Sequence, residues 1–194
     1  MVRGTAAMLW QLIVLLCSDM ILASRPAHHD VLDDDLTLHR VRGKCPQEVP
    51  LRAVLTQLGL KDVENVYEMH GISWNDCDVR TIYLPVRKVH GTLDERIAEL
   101  TELYYLHLGH TNVTGDLEVL AKNRKLGDLR LQRTRVTGDL RSLSQAKGLR
   151  RLYLHRTQVT GDLASLSQAT GLEFLHLENT QVAGNLRSLS QATG

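Results

Sequence analysis

The heptapeptide Thr111-Asn112-Val113-Thr114-Gly115-Asp116-Leu117 returns three times further along the chain. It reads Thr134-Arg135-Val136-Thr137-Gly138-Asp139-Leu140, then Thr157-Gln158-Val159-Thr160-Gly161-Asp162-Leu163, then Thr180-Gln181-Val182-Ala183-Gly184-Asn185-Leu186, each 23 residues after the last. Ahead of each block stands L-x-x-L-x-L, at Leu103/Leu106/Leu108, Leu126/Leu129/Leu131, Leu149/Leu152/Leu154 and Leu172/Leu175/Leu177. A looser copy comes first, with Val79, Ile82, Leu84, Val89, Gly91 and Leu93 in register and a 24-residue step to the next. A fixed short period marks a solenoid, in which a turn buries its apolar face only against its neighbours. Five turns are expected, at 79–102, 103–125, 126–148, 149–171 and 172–194.

Each column has a physical role. Strand alternation in x-L-x-L-x sends the leucines to one face and the variable residues to the other. Val113, Val136, Val159 and Val182 continue the core further round. Gly115, Gly138, Gly161 and Gly184 mark a bend that needs positive φ or a close backbone approach. The pairs Leu117/Leu120, Leu140/Leu143, Leu163/Leu166 and Leu186/Leu189, spaced i, i+3, suit one or two helical turns on the outer side. Ala146, Ala169 and Ala192 keep that side thin, and Gly148 and Gly171 are expected to end the helical piece.

These columns resemble the leucine-rich-repeat family over residues 79–194, and V-T-G-D-L is similar to the L-x-G-x-I portion of its plant-type extracellular subclass. The resemblance implies an α/β solenoid, curved, with a parallel sheet on the concave face and short helical or 3-10 segments outside. One column departs from the subclass: Thr111, Thr134, Thr157 and Thr180 stand where asparagine is usual. A buried hydroxyl donates one bond and accepts others, so these threonines are expected still to tie neighbouring turns together.

An open solenoid needs its ends covered. In residues 45–78, Leu51, Val54, Leu55 and Leu58 follow helical spacing between Pro50 and Gly59. Ser73-Trp74-Asn75-Asp76-Cys77 then leads into the first turn. This resembles the small helical N-terminal cap of the same subclass, although the cysteine spacing differs. At the far end Gly194 stands where Gly171 stands, with no polar capping turn after it. A C-terminal cap is therefore expected to be missing, and the chain to be a fragment.

Residues 1–24 read as a secretory signal: Arg3, then the apolar run Ala6 to Cys17, then small residues at Ala23 and Ser24. The run is about a dozen residues, short of the roughly 20 that span a bilayer. An uncleaved anchor is the alternative, and no second long apolar run follows. Residues 25–44, with Asp33-Asp34-Asp35, read as a flexible leader. Cleavage removes Cys17 and leaves Cys45 and Cys77, an even pair expected to form a disulfide in an oxidising compartment. Two free buried thiols in a cytosolic chain are the alternative.

A net charge of +1 lacks the basic excess of a dedicated nucleic-acid binder. With aromatics at 4%, the core must be aliphatic, and any clustering of aromatics carries information. They cluster on the strands. One outward column reads Tyr83, His107, Arg130, Tyr153, His176, and the one before it Thr81, Tyr105, Asp128, Arg151, Phe174. Beyond them run Gly109, Gln132, His155, Glu178, and His110, Arg133, Arg156, Asn179. Five strands about 4.8 Å apart make a strip roughly 19 Å long, enough for a short peptide or a protein edge. Merely solvated columns should drift to Lys, Glu and Ser. Aromatics and arginine are what binding surfaces favour.

Other chemistries fit less well. His107, His110, His155 and His176 sit on separate turns with Arg130 and Arg133 between them, and no Cys or carboxylate pair completes a metal site. The Asp116, Asp139, Asp162, Asn185 column offers one side-chain oxygen donor per turn, thin for calcium and better suited to hydrogen-bonded turns. Ser142, Ser144, Ser165 and Ser167 fall in the outer segment, away from the histidines, so no catalytic constellation or cofactor is expected. Asn112-Val113-Thr114 is a glycosylation sequon. The reading is a secreted or cell-surface recognition module, not an enzyme, with a protein or peptide ligand on the concave face and an acidic ligand fitting best. The alternatives are the N-terminal ectodomain fragment of a membrane receptor, with or without a kinase, and a structural surface protein.

Overall fold

Helix α1 (Glu48–Gln57) turns one apolar side inward: Leu51, Val54 and Leu55 are buried, as is Leu58 just past its end. The computed structural model describes residues 45–61, 63–85 and 89–190. The signal, the leader and the last residues of the fifth turn lie outside these. The helix starts ahead of Pro50, not behind it. Proline sits in the first turn, where its missing N–H would have no helical partner anyway. At the other end Gly59 takes φ +83° and Leu60 N–H donates to Leu55 C=O at 2.8 Å, a glycine-bearing stop.

Contacts within residues 45–78 hold this cap together, and a bond from Val79 ties it to the first turn. Cys45 and Cys77 form a disulfide, with Cα atoms 5.0 Å apart. Gln47 Oε1 accepts from the Val79 amide at 2.7 Å. Tyr67 donates to Glu48 Oε2 at 2.8 Å, and its ring lies 4.8 Å from Trp74.

Strand β1 (Ile72–Asn75) pairs antiparallel with β2 (Asp78–Tyr83). Parallel to β2 follow β4 (Tyr105–His107), β6 (Asp128–Arg130), β8 (Arg151–Tyr153) and β10 (Phe174–His176), one per turn. The register brings Ile82, Leu106, Leu129, Leu152 and Leu175 side by side, and all but Leu175 are buried. Leu152 gains its full burial from turns on both sides, which is how stacking stabilises a unit that is too small to fold alone.

A second parallel sheet lies where the sequence reads only a bend. It comprises β3 (His90–Thr92), β5 (Asn112–Asp116), β7 (Arg135–Asp139), β9 (Gln158–Asp162) and β11 (Gln181–Ala183). The repeated V-T-G-D is thus itself a strand. The glycines do take positive φ, +121° at Gly115 and +106° at Gly138. Space forbids a side chain too: a Cβ on Gly138 would collide with Asp116 Oδ1 and stand 2.7 Å from the Leu117 amide. Asp116, Asp139, Asp162 and Asn185 then cap 3-10 turns at Leu117–Leu120, Leu140–Leu143, Leu163–Leu166 and Leu186–Leu189. Each Oδ1 accepts from the amide two residues on, at 2.7–2.9 Å.

Two expectations fail. The hydroxyls of Thr111, Thr134, Thr157 and Thr180 do not bridge turns; each donates to the leucine carbonyl three residues back in its own turn, at 2.6–2.7 Å. A side chain as short as threonine reaches its own turn first. The bridging falls to Thr114, Thr137 and Thr160, which donate to Gly91, Gly115 and Gly138 of the preceding turn at 3.0–3.2 Å. Asn123 adds a double bridge from its Nδ2 to the Ile97 and Leu100 carbonyls, at 2.9 and 2.8 Å. Nor does Gly148 end a helical piece: the 3-10 turn closes at Ser144, and Gly148 is exposed, outside the left-handed region, with nothing near its would-be Cβ.

Candidate ligand-binding face

The register of the six-stranded sheet confirms the two aromatic columns as columns. Thr81, Tyr105, Asp128, Arg151 and Phe174 stand abreast, as do Tyr83, His107, Arg130, Tyr153 and His176. Parallel pairing without a slip holds like positions together at every step.

Asp128 is the hub of this face. Its carboxylate is buried, 4% exposed, and takes both oxygens into bonds from Arg130, Nε at 2.8 Å and Nη2 at 2.9 Å. Arg151 Nη1 approaches the same carboxylate at 3.5 Å. The Arg130 guanidinium lies between two rings, 5.4 Å from Tyr105 and 5.1 Å from Tyr153. Arg151 stands 5.5 Å over Phe174. Planar guanidinium suits both partners at once, a fork for the carboxylate and a face for the rings.

Around the hub the rings form two groups. Tyr83 stacks on Tyr105 at 6.0 Å and meets His107 edge-on at 5.0 Å. Tyr153 stacks on His176 at 4.8 Å. His107 is buried, 8% exposed, so it supports the face from below more than it presents itself. Burial, helped by the charge of Arg130, holds its imidazole down to about 4. Burial likewise pushes the Tyr105 phenol up to about 12, against the pull of Arg130.

The remaining predicted residues sit differently. Strands β4, β6, β8 and β10 are three residues long, so His155 lies past β8, half-buried, and His110, Arg133 and Arg156 lie in the turn beyond. These last three are exposed in the left-handed conformation, φ +61°, +54° and +58°. Among the described residues no salt bridge reaches Arg133 or Arg156. Asn112 opens β5 on the other sheet and is exposed. Reading columns one at a time leaves out Asp128 and Glu178, whose roles are pairwise. A signal was present, since Asp128 is the only acid in either aromatic column.

No helix among the described residues is long and apolar enough to cross a membrane. No family model matches the chain, and no curated protein matches it. Solved structures do. The leucine-rich-repeat ectodomain of the receptor kinase SOBIR1 from Arabidopsis thaliana is similar at TM-score 0.62 and 23% identity, over 81% of this chain and 85% of that one. The BIR3–SERK2 complex from Arabidopsis thaliana gives 0.61 at 19% identity, over 70% and 82%. A PEPR1–AtPEP1 structure gives 0.63 at 25% identity, over 74% of this chain and 23% of that one. The fold these structures share with the chain is the leucine-rich-repeat solenoid.

Proposed function

We propose that the chain is a secreted or cell-surface recognition module that captures a protein or peptide ligand on the open face of its six-stranded sheet. The observation that carries this reading is the arrangement around Arg130. A buried carboxylate and two tyrosine rings hold one guanidinium rigid, so neighbouring rings are ordered before a ligand arrives. Pre-ordering removes part of the entropy that binding must otherwise overcome. Tyr83 and Phe174 are exposed beside it, 39% and 45%, and offer apolar contact. Asp128 neutralises Arg130, so the charge left for an acidic ligand is that of Arg133 and Arg156 at the rim. Rim charges act on encounter rate and salt dependence more than on residence.

A second reading, the ectodomain of a membrane receptor, is favoured by one observation: structures similar to this chain include receptor-kinase ectodomains, and the chain spans most of the length of the SOBIR1 ectodomain. The ligand chemistry is the same in both readings.

The test starts from a partner captured with the secreted chain as bait. Tyr153→Ala and Phe174→Ala are expected to weaken capture by about 1–4 kcal/mol. Arg133→Ala with Arg156→Ala is expected to slow association and flatten its salt dependence. If these leave affinity intact while changes at Gln145 or Lys147 on the outer segment abolish it, the open-face reading is wrong.

A further inference from the structure

At one end of the strip three groups converge that ligand capture does not use as a set. His176 ends β10 and Glu178 follows two residues later, so both lie along one face. His155 belongs to the preceding turn, in the same repeat position as Glu178. One ligand atom from each lies within 4.8 Å of the other two. His176 Nδ1 is already 3.3 Å from Glu178 Oε1. The two imidazole rings are 6.1 Å apart at 62°, and Tyr153 lies parallel to His176 and holds its plane. His155 Nδ1 is buried and meets no hydrogen-bond partner among the described residues, so that nitrogen has no competing protein contact.

We propose that His155, His176 and Glu178 form a binding site for a divalent transition-metal ion of the zinc class. Two imidazole nitrogens and one carboxylate oxygen are a donor set that zinc accepts at roughly 2.0–2.2 Å, whereas calcium and magnesium select oxygen. Ligand atoms around such an ion lie roughly 3.3 Å apart by that geometry, which the His176–Glu178 pair already satisfies. The third ligand needs a shift of an ångström or so, within reach of side chains that are half-buried or exposed. Three protein donors leave positions open for water or for a donor atom from a bound partner. The site stands independently of the ligand-capture reading, since the ion needs only this chain.

The experiment is calorimetric titration of the untagged, chelator-treated chain with zinc chloride, and with cobalt(II) to read the coordination by visible absorption. One zinc ion is expected at this site. His155→Ala and His176→Ala should each lower its affinity about tenfold or more, and Glu178→Gln less. His70→Ala, in the cap, should change nothing, and circular dichroism checks that each variant folds. Binding should weaken on acidification, because the ligand form of imidazole is the neutral one. A His155→Ala/His176→Ala double variant that binds zinc as the parent does would overturn the proposal. So would a parent chain that binds no zinc, which would leave a plain histidine–carboxylate pair. Neither result touches ligand capture, which the Tyr153 and Phe174 variants test.

Discussion

Arginine 130 looks in the sequence like a free surface group, and in the structure it is the partner of a buried charge. Surface substitutions usually stay within about 0.5 kcal/mol. Arg130→Ala instead strips two charge-assisted bonds from a carboxylate that is only 4% exposed. A loss of about 1.5–3 kcal/mol is expected, measured by urea denaturation. Arg151→Ala should cost less, since Arg151 sits 3.5 Å away and is 43% exposed. Equal small effects from both would contradict the hub. His107 supplies a second test. Its folded imidazole titrates near 4 against an ordinary 6.5, so between those values the unfolded chain binds the extra proton. Its contribution to stability is therefore whole above about pH 6.5 and drains as pH falls toward 4. Denaturation midpoints at pH 5 and pH 7.5 should differ more for the parent chain than for His107→Gln. If the two chains lose stability in parallel, the imidazole is not the source.

The element that a column reading misses is the second ladder. V-T-G-D lacks the leucine signature, and glycine ordinarily weakens a strand. Here one short strand per turn pairs with its copies on either side, and the stack compensates for what each segment lacks. Glycine is required within it because the backbone passes close to the capping aspartate of the turn before. Gly138→Ala should therefore cost at least about 1–3 kcal/mol, from positive φ and from the clash with Asp116. Gly148→Ala, in open space, should be neutral or stabilise by about 0.4–1 kcal/mol. Thermal melts of the two single variants decide the matter. A Gly148 variant as damaged as the Gly138 variant would restore the helix-stop role that the sequence suggests.

At the scale of the molecule, stability is shared along the stack. Leu152 touches solvent nowhere, while the equivalent Leu175 in the last described turn is only half-buried. Leu152→Ala should cost about 2–5 kcal/mol and expose amides in turns on both sides. Hydrogen exchange should show protection lost across 126–190 and retained around the disulfide-fastened cap. Loss confined to the single turn 149–171 would mean that the turns do not depend on one another.

The 23-residue period, the leucine columns, the cap helix and the cysteine pair were legible in the chain itself. These depend on spacing and residue type, and stacking repeats them without choice. The two aromatic columns were legible for the same reason, because alternation along a strand is a local rule. What only the tertiary structure decided is which neighbours each column side chain meets. The Asp128–Arg130–Arg151 hub joins residues of two turns, and the His155, His176, Glu178 cluster does likewise. Which threonine bridges turns and which one serves its own turn also depended on distances across the stack. A repeat fixes where residues recur along the chain. The charge partners, burial and titration of a side chain depend on the space between turns, and that space is set only when the turns pack.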